Sequence, residues 1–80
     1  MSLMTRELEK RFAKVSRQRE KEDPMVIAKF FNPAGSGNWY ATEYDSKKKT
    51  FFGYVSIYGD WNEWGFFSLK ELEDIINDFY

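Results

Sequence analysis

The chain has no cysteine and no histidine, only two prolines, and 12 basic against 13 acidic side chains in 80 residues. Without cysteine there is no disulfide framework, thiolate metal site or cysteine nucleophile. Without histidine the usual neutral-pH proton shuttle and the commonest metal ligand are missing, so a serine-type triad would need another base. A net charge of −1 gives no global attraction to nucleic acid or membrane. No apolar run approaches the ~20 residues that span a bilayer, and the N-terminus lacks the form of a signal peptide. The expectation is a cytoplasmic, single small domain, which buries roughly 60–65% of its unfolded surface and has little stability to spare.

What the chain has in excess is ring area. Aromatic side chains make up 20% of it, and of eight Phe, five Tyr and three Trp all but Phe12 lie from Phe30 onward. Each ring can hide about 150–250 Å², so aromatics can stand in for missing core size.

Met1-Ser2-Leu3 before Met4 has the pattern of an expression remnant and is set aside from the fold reasoning. Thr5 can cap a helix, and Leu8, Phe12 and Val15 recur at helical spacing, predicting a helix over Arg6–Gln18 with one narrow apolar side. Arg17–Pro24 is charged and apolar-free and reads as a solvated linker, with Pro24 barring helix at Asp23. Residues 1–24 then form a basic helix and linker, and 25–80 a sheet with a C-terminal helix, within one domain overall. Strands are predicted at Met25–Asn32, Trp39–Tyr44, Phe51–Tyr58 and Glu63–Phe67, separated by turn chemistry. Gly53 marks a bulge or a close approach, while Gly65 is read as admitting a large neighbour. Ser68-Leu69-Lys70-Glu71 is a capping box opening a helix from Leu69 to about Asp78, with Leu72, Ile75, Ile76 and Phe79 on its apolar side. Short loops between strands require antiparallel hairpins. The fold class is therefore α+β: an N-terminal helix, a four-stranded antiparallel meander, and a C-terminal helix packed on the sheet.

The blocks KFFNP (Lys29–Pro33), WYATEYD (Trp39–Asp45), FFGYV (Phe51–Val55) and WGFFSLKELE (Trp64–Glu73) resemble, in order and spacing, the domain of unknown function family numbered 2958. The resemblance runs from Val26 to Leu72. It implies a single-domain α+β protein and a role in the biology of plasmids and other mobile elements, where small bacterial and archaeal members are often found. Members usually run further beyond the last helix. The family has no established activity, cofactor or catalytic residues, so the resemblance supplies no functional residue.

Three uses of the residues compete. Glu43, Asp45, Asp60 and Glu63 lie near turns, and with Lys29 they could converge into a metal-dependent hydrolase or nuclease site, although solvated loop acids are the simpler reading and no ligand motif of fixed spacing is present. Trp39, Tyr40, Tyr44, Tyr54, Tyr58, Trp61 and Trp64 could form a stacking platform for single-stranded nucleic acid, with Lys29, Lys47, Lys48 and Lys49 on phosphates. The third use is protein contact. Adjacent aromatics such as Phe30 with Phe31 and Phe51 with Phe52 point to opposite faces, so rings remain on the face away from the helices. Interfaces favour such anchors, and the acidic balance of Met25–Tyr80 argues against a phosphate groove. The leading expectation is a non-enzymatic protein-interaction module, binding an unknown protein or a second copy through Trp39, Tyr44, Tyr58, Trp61 and Trp64. No catalytic residue, cofactor or metal is assigned. Thr42 and Ser56 are read as strand residues, since no base adjoins either.

Overall fold

The computed structural model describes residues 3–15, 17–33, 35, 37–57 and 61–77, apart from the side chains of Trp61 and Asn77. Helix α1 spans Arg6–Lys14, strands β1 to β4 span Ala28–Phe31, Asn38–Asp45, Thr50–Ile57 and Trp61–Ser68, and helix α2 spans Leu69–Asn77. The sheet order is β1-β2-β3-β4, every pair antiparallel, which is the predicted α+β meander.

Local chemistry accounts for the helix ends. The Leu8 N–H donates to the Thr5 hydroxyl oxygen at 3.1 Å, and α1 carries Glu7 and Glu9 in its first turn and Arg11 and Lys14 in its last, as the helix dipole favours. The Glu71 N–H donates to the Ser68 hydroxyl oxygen at 3.0 Å, which starts α2. The predicted Arg6–Gln18 helix is too long at its C-terminal end. Val15 is already extended, at φ −97° and ψ 105°, because the chain leaves the helix to cross the sheet margin.

Both helices pack on one sheet face. Phe51 is the centre of that core, fully buried, with ring centroids 5.7 Å from Phe12, 5.3 Å from Phe30, 4.8 Å from Tyr44 and 5.3 Å from Phe67. Ile27, Trp39, Ala41, Leu69, Leu72 and Ile76 complete it. Leu3, set aside from the sequence, belongs to the fold: it packs against this core and its N–H donates to Glu73 Oε2 at 3.0 Å.

Strand β2 carries a bulge. Ala41 opposes Gly53 and Glu43 opposes Phe52, leaving Thr42 as the extra residue. The bulge sits on β2, and Gly53 on the neighbouring strand accommodates it, since a Cβ there would run into the Tyr40 carbonyl oxygen. Gly65 differs from its expectation: among the described residues no atom beyond its chain neighbours lies within 4 Å of the place its Cβ would take, so it faces open space rather than a large neighbour. The β1–β2 turn depends on Gly37, at φ +139°, and the β2–β3 turn is closed by Lys49 at φ 53°, with Asp45 Oδ1 accepting from the Lys47 and Lys48 N–H groups. Among the described residues no helix is long and apolar enough to cross a membrane.

Candidate functional site: the second face of the sheet

The alternation that buries Phe30, Trp39, Phe51 and Phe67 turns Lys29, Phe31, Tyr40, Phe52, Tyr54, Trp64 and Phe66 to the other face. These residues meet across the strands. Tyr40 and Tyr54 are paired in register with centroids 6.2 Å apart, and Tyr54 meets Trp64 edge-on at 5.4 Å. Trp64 lies at 6.1 Å from Phe52, and Phe52 meets Phe66 edge-on at 5.0 Å. Five rings from three strands thus form one band. The Lys29 ammonium lies 5.5 Å from the Tyr40 ring at one end, and the Arg19 guanidinium lies over Phe52 and Phe66, at 5.6 and 5.2 Å, at the other.

Arg19 reaches that position because the segment read as a solvated linker lies against the sheet. β1 begins pairing only at Ala28, opposite Ala41, so among the described residues the half of β2 beyond the bulge has no strand on that side. Gln18 fills the gap and is only 2% exposed. Its Nε2 donates to the Thr42 carbonyl at 2.7 Å and to the Met25 carbonyl at 2.9 Å, while its Oε1 accepts from the Met25 N–H at 2.6 Å. The Gln18 N–H donates to Glu43 Oε2 at 2.9 Å, and Arg19 Nε pairs with the same carboxylate at 3.2 Å. The bulge leaves Thr42 without a cross-strand partner of its own, and the Gln18 amide supplies one. Residues 18–24 then run over the second face as a strap. Glu22, Pro24, Tyr40, Tyr54 and Trp64 line a shallow groove along one side of it, and Arg19, Glu43, Lys48, Phe52 and Phe66 line another.

The predicted contact residues separate on this frame. Trp64 sits on the second face and is 49% exposed. Trp39 does not: it is 6% exposed, in the core under the helices, since it opposes Phe30 and Val55. Tyr44 also faces the helices, against Phe12 and Phe51. Burial, with the negative charges of Glu9, Glu73 and Asp45, holds its hydroxyl above the usual tyrosine pKa. Tyr58 and the side chain of Trp61 lie outside the described residues. Sequence reasoning passed over Phe66, 63% exposed, and Phe31, 55% exposed. The adjacent pairs Phe66-Phe67 and Phe30-Phe31 were the available signal, because one member of each pair must face away from the core. Arg19 and Gln18 carried no signal, lying in a run without apolar residues.

Among the described residues the other candidates do not assemble. Glu43 and Asp45 share a face, as two-residue spacing requires, but Glu43 is taken by Gln18 and Arg19, and Asp45 by the turn. Glu63 opposes Val55, on the helix-side parity and towards the far end of the sheet, and Asp60 lies outside the described residues. Among the described residues no three acidic, histidine or cysteine side chains come together. The Thr42 hydroxyl donates to the Phe52 carbonyl at 3.1 Å and is sealed from solvent, so it is a strand residue, as read. Lys29 is on the band, whereas Lys47, Lys48 and Lys49 cluster at the β2–β3 turn, where Lys48 borders the groove by Phe66.

A family model described as a protein of unknown function (DUF2958) matches residues 3–80, and the chain belongs to that family. No curated protein and no solved structure matches this chain.

Proposed function

We propose that this member of the family is a non-enzymatic protein-interaction module whose contact surface is the aromatic band of the second sheet face alongside the strap, with Trp64 and Phe66 as its most exposed rings. The observation that carries the reading is the continuity of the band from Tyr40 to Phe66, two of whose members are about half or more exposed. Large contiguous apolar surface is uncommon on soluble monomers and marks contact sites. The rim is mixed in sign, with Arg19, Lys29 and Lys48 beside Glu22, Glu43 and Asp45. A mixed rim suits a protein surface and does not track a phosphate backbone.

The test is quantitative affinity capture with the intact protein and three alanine variants. Trp64→Ala and Phe66→Ala are expected to weaken capture about 30-fold each, the scale of an interface anchor, with unchanged circular dichroism. Ile75→Ala, an exposed apolar position on α2 away from the band, is expected to leave capture unchanged. Titration with a fluorescent single-stranded oligonucleotide at low and high salt is the second arm. Tight binding that falls steeply with salt and vanishes when Lys47, Lys48 and Lys49 are neutralised would replace this reading with nucleic-acid binding.

A further inference from the structure

The two outer strands of the sheet are protected very differently. β1 is four residues long, carries Lys29, and is closed off by Pro24 before it and Asn32-Pro33 after it, features that blunt an edge against pairing. β4 is eight residues long, WNEWGFFS, with no proline, no lysine and a single charge at Glu63. Its register with β3 is unbroken from Ile57↔Trp61 to Thr50↔Ser68. The phase of the ladder follows from its last bond, in which the Leu69 N–H donates to the Lys49 carbonyl at 2.9 Å. Hydrogen-bonded pairs alternate in an antiparallel ladder, so Phe67, Gly65 and Glu63 turn their backbone groups to β3, and Phe66 and Trp64 turn theirs outward.

We infer that β4 pairs antiparallel with β4 of a second copy of this chain, about a two-fold axis at Gly65, joining two four-stranded sheets into one of eight strands. This deepens the reading above and rests on it, since Trp64 and Phe66 are contact residues in both. The second copy is the occupant the edge fits because the outer row is palindromic about Gly65. On the second face the order is Asn62, Trp64, Phe66, Ser68, which is polar, aromatic, aromatic, polar. The two-fold sets Trp64 opposite Phe66 of the other copy on both sides of the axis and polar residues opposite each other outside them. The outward N–H and C=O of Trp64 then meet those of Phe66 across the seam. Cross-strand aromatic pairs are among the stabilising ones. On the helix face the axis brings Gly65 against Gly65, where each has open space and no side chain to clash. The aromatic band of one copy continues into that of the other.

A single introduced thiol tests both the pairing and its register, because the chain has no cysteine. Directly opposed residues of a non-hydrogen-bonded pair have Cα atoms about 4.5 Å apart, at the near end of the roughly 4.4–6.8 Å that a disulfide spans. Gly65→Cys is expected to give a covalent dimer under mild oxidation, and Glu63→Cys, two residues from the axis on each chain, is expected not to. Sedimentation velocity on the unmodified protein is expected to show a concentration-dependent dimer. Gly65→Lys sets two ammonium groups face to face and is expected to weaken dimerisation about tenfold or more while each copy keeps its circular dichroism. A protein monomeric throughout the concentration series, or crosslinking of Glu63→Cys in place of Gly65→Cys, would overturn the inference. Loss of partner capture by Trp64→Ala in a strictly monomeric protein would remove the edge pairing and leave the proposed function standing.

Discussion

The carboxamide of Gln18 holds three backbone groups belonging to Thr42 and Met25, and of these the Thr42 carbonyl is sealed from water. Gln18→Ala strands that carbonyl, and the expected loss is about 1–3 kcal/mol, the cost of a buried acceptor left unpaired. It would be read as a lower urea midpoint. The two glycines paired across β3 and β4 predict opposite results. Gly53→Ala forces a Cβ into the Tyr40 carbonyl, which is backbone and cannot move aside. It is expected to cost more than about 3 kcal/mol, beyond the range of ordinary substitutions. Gly65→Ala meets nothing and restricts the unfolded chain, so it is expected to be neutral or stabilising by up to about 1 kcal/mol. Thermal melts of the pair, run side by side, check both.

At the scale of elements, α2 begins where Ser68 accepts the Glu71 N–H. Ser68→Ala is expected to cost about 1 kcal/mol, and Ser68→Asp to recover most of it; urea titration distinguishes them. This helix was legible because a capping box and a 3.6-residue apolar stripe coincide in it, and observed α2, Leu69–Asn77, starts at the predicted residue. The meander was legible too, since strand length and turn composition admit few other arrangements. What escaped the sequence was the course of residues 17–25. A run of charges carries no burial signal, and Gln18 is held by amide geometry that exists only once the β2 bulge has formed. The bulge itself was half visible: Gly53 announced a close approach, but the residue needing it sat on the neighbouring strand. The division of the aromatics between two faces followed from adjacent rings. Which member of each pair faced the core depended on that same bulge and on register, and so Trp39 and Tyr44 were misplaced while Phe66 was passed over.

For the molecule as a whole, pH probes both ends of the sheet's turn and core. The backbone N–H groups of Lys48 and Lys47 hold the Asp45 carboxyl below the usual carboxylate range. A lowered folded pKa gives stability that is complete above the unfolded value, about 3.9, and is lost as pH falls through the folded one. Burial raises the Tyr44 hydroxyl, so its contribution is complete below the unfolded value, about 10, and is lost as pH rises through the folded one. Melting temperature against pH is therefore expected to decline at both extremes. Asp45→Ala should flatten the acid side only, and Tyr44→Phe, which keeps the ring against Phe12 and Phe51, the alkaline side only.

The strap also sets an order of events. Its anchors, Thr42, Glu43, Phe52 and Phe66, all come later in the chain than the strap itself, and the Gln18–Thr42 bond closes a loop of 24 residues. A ribosome delivers residues 18–24 well before there is a surface to receive them. Made ahead of its own anchors, this stretch must wait for the β2–β3 hairpin before it can dock, and until then the rings of Phe52 and Phe66 stand without the guanidinium that later lies over them.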